Sequence, residues 1–220
     1  MNISLIANAL TTFFASYILG AIPFGLLLAR LTTGQDIRLI GSGRTGTTNT
    51  LRAAGYPIAM LTFILDMAKS AAGVWLARWL APGQIWMEVL APIAVIVGHN
   101  YSIFLLERDE RGRLRLRGGA GGASALGGTI GLWPPSILFL IPIGILIYFG
   151  VGYASVATMS IGIFAMLLFA ARAWLGLSSW IYVAYGLLAE VLLLWALRPN
   201  IKNLLNGAER GIGWRARRKN

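Results

Sequence analysis

The stretch LIANALTTFFASYILGAIPFGLLLA, residues 5–29, decides the fold. It runs for 25 residues without one charged side chain. A helix needs about 20 apolar residues to cross the hydrocarbon core of a bilayer. The run is too long for the apolar core of a secretory signal, and Met1-Asn2-Ile3-Ser4 in front of it brings no basic residue. It therefore reads as a membrane helix that stays in the chain.

Further apolar runs follow it. They predict spans at 54–77, 87–106, 119–134, 136–150, 155–173 and 179–197. The fourth and fifth are short and meet at Trp133-Pro134-Pro135, where one interrupted helix is the alternative. The expected fold is an all-α polytopic membrane protein of about seven transmembrane helices. Residues 1–210 read as one membrane domain and 211–220 as a basic tail, lying on a lipid surface or unstructured. Composition agrees: 57% of the 220 residues are hydrophobic and only 12% are charged, about half the charge of a soluble domain. With no cysteine and one histidine, His99, the chain offers neither a thiolate nucleophile nor a multi-histidine metal site.

The net charge of +11 is explained by topology rather than by nucleic acid. Sixteen of the nineteen basic residues fall into three segments. The first holds Arg30, Arg38, Arg44 and Arg52, and the second Arg108, Arg111, Arg113, Arg115 and Arg117. The tail holds Arg198, Lys202, Arg210, Arg215, Arg217, Arg218 and Lys219. Basic loops stay on the cytoplasmic side. Seven spans would put all three there, with the N-terminus outside and the C-terminus in the cytoplasm. The expected location is the cell membrane, with the site facing the cytoplasm.

The first basic loop is rich in groups that bind anions. Gly41, Gly43 and Gly46 match G-x-G-x-x-G, but a membrane helix precedes them and no βαβ unit is present, so a dinucleotide fold is rejected. Glycines can still curl backbone N–H groups around a phosphate. Ser42, Thr47, Thr48 and Asn49 add neutral donors, and Arg52 adds a guanidinium fork at a helix start. The alternative is a polar connector carrying topogenic arginines. Asp66 and Lys69 lie three apart inside the second span, as a mutual ion pair or as substrate contacts. Gly98-His99 closes the third span. His99 is a candidate base or phosphate donor, or a packing residue with a hydrogen bond. Phe104 stands five positions on, where the soluble-type glycerolipid acyltransferases pair their histidine with an aspartate, so that mechanism is closed to it. Arg117-Gly118-Gly119-Ala120-Gly121 forms a second glycine-rich basic turn before an apolar helix. Ser155 is a donor at a helix start or an N-cap. Asn200 to Glu209 has the spacing of an interfacial helix.

Taken together, these segments resemble the bacterial membrane glycerol-3-phosphate acyltransferases that use acyl phosphate. Gly41-Ser42-Gly43-Arg44-Thr45-Gly46-Thr47-Thr48-Asn49 with Arg52 resembles their first motif, with Arg44 for asparagine. Asp66-Met67-Ala68-Lys69 resembles D-x-x-K-G, with Ser70 for glycine. Gly98-His99, Arg117 to Gly121, Tyr153-Ala154-Ser155 and Asn200 to Glu209 follow in the family's order. Arg117 and Ala120 stand for two lysines, Leu197 for a histidine, and 107–116 resembles an insertion. The resemblance implies transfer of an acyl group from acyl phosphate to glycerol 3-phosphate, without metal or cofactor. Ser42, Arg52, Arg117, Ser155 and Asn200 would hold glycerol 3-phosphate. The Gly41–Asn49 loop and His99 would hold acyl phosphate, and Asp66 and Lys69 would position the loops. Gly118 and Gly119 belong to the second phosphate turn. The competing classes are a transporter or binding protein for a phosphorylated solute, and an inactive relative that binds lipid phosphate.

Overall fold

The computed structural model describes residues 3–108 and 112–217. Arg111, Arg218 and Lys219, counted above among the topogenic charges, lie outside the described residues. The chain forms α1 (Ile3–Ala21), α2 (Phe24–Thr33), α3 (Thr47–Leu80) and α4 (Ile85–Asn100). A hairpin of β1 (Ser102–Arg108) and β2 (Leu114–Arg117) follows. Then come α5 (Gly122–Leu132), α6 (Ile137–Val151), α7 (Ala154–Trp174), α8 (Ile181–Leu205) and the single turn α9 (Trp214–Arg217).

The expectation of seven membrane helices is corrected to five. Among the described residues, Ile3–Thr33, Thr47–Leu80, Pro134–Val151, Ala154–Trp174 and Ile181–Leu205 are long and apolar enough to cross a membrane. Two expected spans fail on length. The run at 87–106 gives the 16-residue α4 and then leaves the helix for β1, and 16 residues rise only about 24 Å. The run at 119–134 gives the 11-residue α5. Hydropathy misled here because a helix buried in protein is as apolar as one facing lipid. Eight of α5's eleven residues are buried. Its glycines admit neighbours that a side chain would exclude. A Cβ at Gly127 would fall 2.0 Å from the Met67 carbonyl oxygen, and one at Gly128 would fall 2.2 Å from the Tyr185 hydroxyl. The expectation of an all-α chain also needs the hairpin added. Leu106 pairs with Leu116 and Glu107 with Arg115, so the segment read as an insertion builds the end of β1 and the start of β2.

The core joins α3, α4, α5, α7 and α8 through Val74, Val89, Ile96, Ala125, Phe169, Tyr185 and Leu193. Outward, α6 leaves Leu138, Leu146 and Phe149 exposed, as a lipid-facing helix does. Breaks in the helices are compensated by side chains. Pro199 cannot donate to the Trp195 carbonyl inside α8, and Arg198 Nη1 donates to it instead at 2.9 Å. The α1–α2 break takes the carbonyls of Gly20 and Ala21 out of the helical pattern, and among backbone donors the Ile22 carbonyl accepts the Phe24 amide. Lys69 Nζ donates to Gly20 and Ile22 at 2.9 and 3.2 Å, and the Ser102 hydroxyl donates to Ala21 at 2.5 Å.

The two ends of the bundle differ. At one end Arg78 donates to Glu88 and to the last carbonyls of α5, at Gly131 and Leu132. Tyr182 donates to Glu88, and Arg172 stacks over Trp133. Exposed Trp79, Trp86, Trp174 and Trp180 flank the helix ends there, where interfacial aromatic residues gather. The other end carries the glycine-rich loops.

Candidate active site

The first loop is folded by Asn49. Its carboxamide nitrogen faces the carbonyls of Ile37, Ile40 and Arg44 at 2.7–2.9 Å, and its oxygen accepts from the Ser42 amide at 3.3 Å. All its polar groups serve the loop itself. Gly41 and Gly43 turn with φ of 55° and 68°, the left-handed region that favours glycine. The turn leaves Ser42 exposed. Gly46 ends the loop as the N-cap of α3. Thr47 and Thr48 then begin α3, where the first N–H groups of a helix lack an intrahelical acceptor. Upstream, Asp36 caps a short turn through the Arg38 amide and holds the side chains of Arg38 and Arg30. The Arg38 guanidinium keeps the Asp36 carboxyl well below the usual carboxylate range, with Arg30 adding to it, against an opposing effect of burial.

Three other parts of the chain meet this loop. The Thr45 amide donates to the Gly118 carbonyl at 3.3 Å. Gly118 and Gly119 are pressed against α4. A Cβ on Gly119 would lie 2.0 Å from His99 Nε2, and one on Gly118 would lie 2.2 Å from the His99 carbonyl oxygen. Arg117 Nη1 would lie 3.4 Å from a Cβ on Gly43, and Arg117 is paired with Glu107 across the hairpin. Arg44 Nη2 donates to the Ala196 carbonyl on α8 at 2.6 Å. Burial pulls the Arg44 guanidinium below its ordinary pKa, opposed by Glu209, yet an arginine remains charged at neutral pH.

Behind the loop, Lys69 Nζ stands 2.8 Å from Asp66 Oδ1 and 2.9 Å from His99 Nδ1, with Asp66 and His99 3.5 Å apart. All three are buried. The Lys69–Asp66 approach has ion-pair distance without hydrogen-bond alignment. His99 thus joins this cluster through one ring nitrogen and faces Gly119 with the other.

Ser155 and Asn200 come together on one acceptor, both donating to Glu209 Oε1 at 2.7 and 2.8 Å. Glu209 is itself buried. Sequence reasoning placed Glu209 in a motif without giving it a partner. The local signal was an acid close after Asn200, but its link to Ser155 crosses 54 residues. Within the tail, expected to be unstructured or lipid-bound, Ile212, Trp214 and Arg215 contact the end of α6 and Gly152. The Ile212 amide donates to the Gly152 carbonyl, Trp214 Nε1 to Phe149, and Arg215 Nε to Val151. Leu197 is buried and lies in the core side of α8. Beside the loop, an open apolar groove of about 420 Å³ runs along Ile22, Pro23, Leu26, Leu27, Phe104 and Leu105, with Arg30 and Arg38 at its rim.

The family described as glycerol-3-phosphate acyltransferase matches residues 10–207. The chain belongs to that family. Among curated glycerol-3-phosphate acyltransferases, one from Thermus thermophilus is 38% identical, with 94% of this chain and 97% of that protein covered. One from Rubrobacter xylanophilus is 36% identical, with 91% and 93% covered. Crystal structures of PlsY (YgiH), an integral membrane glycerol 3-phosphate acyltransferase, share the fold. Its glycerol 3-phosphate form superposes with a TM-score of 0.77 at 30% identity, covering 93% of this chain and 96% of PlsY. The lysophosphatidic acid form gives 0.78 at 28% identity. The family's motifs thus lie in one place here, at the loop-bearing end of the bundle.

Proposed function

We propose that this family member transfers an acyl group from acyl phosphate to glycerol 3-phosphate, yielding 1-acylglycerol 3-phosphate and inorganic phosphate. The observation that carries the reading is the convergence of cations and tight glycine turns. Arg52, Arg44 and Arg117 surround the Gly41–Gly43 turn, against the His99–Gly119 contact. Both substrates present phosphate, and such a setting suits phosphate on both.

The glycerol hydroxyl oxygen attacks the acyl carbonyl carbon, the carbon–oxygen bond to phosphate breaks, and the hydroxyl proton leaves with the phosphate. Acyl phosphate already carries a good leaving group, so catalysis is positioning and charge stabilisation. Ser42, Arg52, Arg117, Ser155 and Asn200 hold glycerol 3-phosphate. Glu209 sets the directions of the last two, because both donate to its Oε1. The turn of Gly41, Gly43 and Gly46, with Thr47 and Thr48, holds the acyl phosphate end, as do His99, Gly118 and Gly119. Asn49 contributes by holding the turn in shape, and Asp66 and Lys69 by fixing α3 against α1 and α4. The acyl chain occupies the open groove of Leu26, Leu27 and Phe104 beside the loop, exposed to lipid. The site faces the cytoplasm. The loop-bearing end holds most of the arginines, whereas the tryptophan-rich end holds Arg78 and Arg172.

The test is phosphate release by purified protein from palmitoyl phosphate in detergent. Release that depends on glycerol 3-phosphate and yields lysophosphatidic acid supports the reading, and no gradient is present to drive a transporter. Absence of acyl transfer by folded protein defeats it. Orientation is read separately. The chain has no cysteine, so a single cysteine at Lys202 should be labelled by impermeant maleimide only in inverted vesicles.

A further inference from the structure

We propose that Arg210 is a further phosphate-binding cation of this site, closing with Arg52 on the phosphate of glycerol 3-phosphate; the assignment rests on the acyl-transfer reading above. Two arginines from distant parts of the chain flank one turn. A Cβ built on Gly41 would meet Arg52 Cδ at 3.3 Å and Arg210 Nη1 at 3.4 Å. Gly41 is held at φ 55° and lacks the side chain that would fill this space. Both arginines are exposed, so an anion can reach them.

Charge makes the arrangement informative. Arg52 and Arg210 lie close enough to act on each other electrostatically, and like charges repel at such range. Among the described residues, neither has a carboxylate within ion-pair distance. The neighbouring acid, Glu209, has its Oε1 engaged by Ser155 and Asn200. Arg117 is already paired with Glu107. Arg52 and Arg210 thus flank the turn without an ion-pair partner among the described residues, and a phosphate dianion accepts from two guanidinium forks at once.

Nor does Arg210 arrive on a loose tail. Glu209 pins the chain one residue before it. The Ile212 amide, bonded to the Gly152 carbonyl at 2.9 Å, pins it two residues after. The backbone at 210 is therefore held from both sides over the turn.

The experiment compares wild type with Arg210→Ala, Arg210→Gln and Arg210→Lys. KM is measured for each substrate, and glycerol 3-phosphate binding is measured by calorimetry without acyl donor. Loss of one charged hydrogen bond predicts about a tenfold rise in KM and Kd for glycerol 3-phosphate in the Ala and Gln variants. KM for palmitoyl phosphate should stay within about twofold, and Lys should recover part of the loss. Unchanged glycerol 3-phosphate binding, or a rise confined to palmitoyl phosphate, overturns the proposal. Wild-type protein that binds glycerol 3-phosphate but transfers no acyl group would instead defeat the proposed function, and the calorimetric comparison would still decide the role of Arg210.

Discussion

Replacing Lys69 by methionine keeps most of the side-chain volume and removes the charge from a buried cluster. Its ammonium donates to the carbonyls of Gly20 and Ile22 at the α1–α2 break and stands 2.8 Å from Asp66. Each partner side chain is about 1% exposed, so water cannot replace the lost contacts. Stranding one member of a buried ion pair costs about 3–5 kcal/mol. For a protein of this size each kcal/mol lowers Tm by roughly 2–4 °C, so the fall should be roughly 6–20 °C. The Asp66→Asn, Lys69→Met double variant no longer strands a carboxylate. It should recover most of the loss, short of about 1–3 kcal/mol for the unmatched carbonyls. The assay is thermal unfolding in one detergent at fixed pH. A fall below 2 °C for Lys69→Met, or a double variant no better than the single, would refute the argument that charge pairing holds these helices.

Three further outcomes follow from the same structure. Gly119→Ala drives a methyl group into the His99 ring, and the overpacking should cost about 1–3 kcal/mol. Acyl transfer should fall with it, and a variant with wild-type Tm and rate would disprove the contact. Glu209→Ala orphans the donors of Ser155 and Asn200 and should cost about 1–3 kcal/mol. Glu209→Gln keeps an acceptor and should retain most stability, which parallel melting curves would check. Asp36 has a depressed pKa, caused first by its Arg38 hydrogen bond, so it stabilises the fold above its unfolded value of about 3.9. Asp36→Asn should therefore lower Tm at pH 7, with the gap narrowing as pH falls below about 4. A gap that widens on acidification would contradict the sign.

The motifs were legible because each is a local run of unusual residues: glycines between arginines, or Asp66 and Lys69 in an apolar helix. That they would meet was inferred from charge asymmetry and from the family's order, and the Thr45–Gly118 and Arg44–Ala196 bonds give it physical form. Helix number was not legible. The run 119–134 is apolar for the sake of Met67, Val74 and Tyr185, not of lipid, and hydropathy does not distinguish the two. Its clue was Gly127, Gly128 and Gly131, small residues that let backbones approach closely. The hairpin was hidden because Ile103 to Leu106 resumes the apolar run of α4 just after His99-Asn100-Tyr101-Ser102. The Glu209 clamp joins sites that no local pattern relates. Asn49 looked like one donor among several, since nothing in sequence shows that its amide turns inward.

The glycine-lined helix α5 also fixes an order of events during synthesis. Its eleven residues are too short to settle alone in a bilayer, so they depend on helices made before and after them. The hydroxyl of Tyr185, which donates to the Ala125 carbonyl at 2.6 Å, leaves the ribosome 60 residues later. Until then the Gly128 side of α5 has Pro92 of α4 against it but lacks the Tyr185 ring. The loop-bearing end of the bundle therefore takes its final shape only after translation has passed α8, and a nascent chain halted earlier leaves a partner-seeking helix in the membrane.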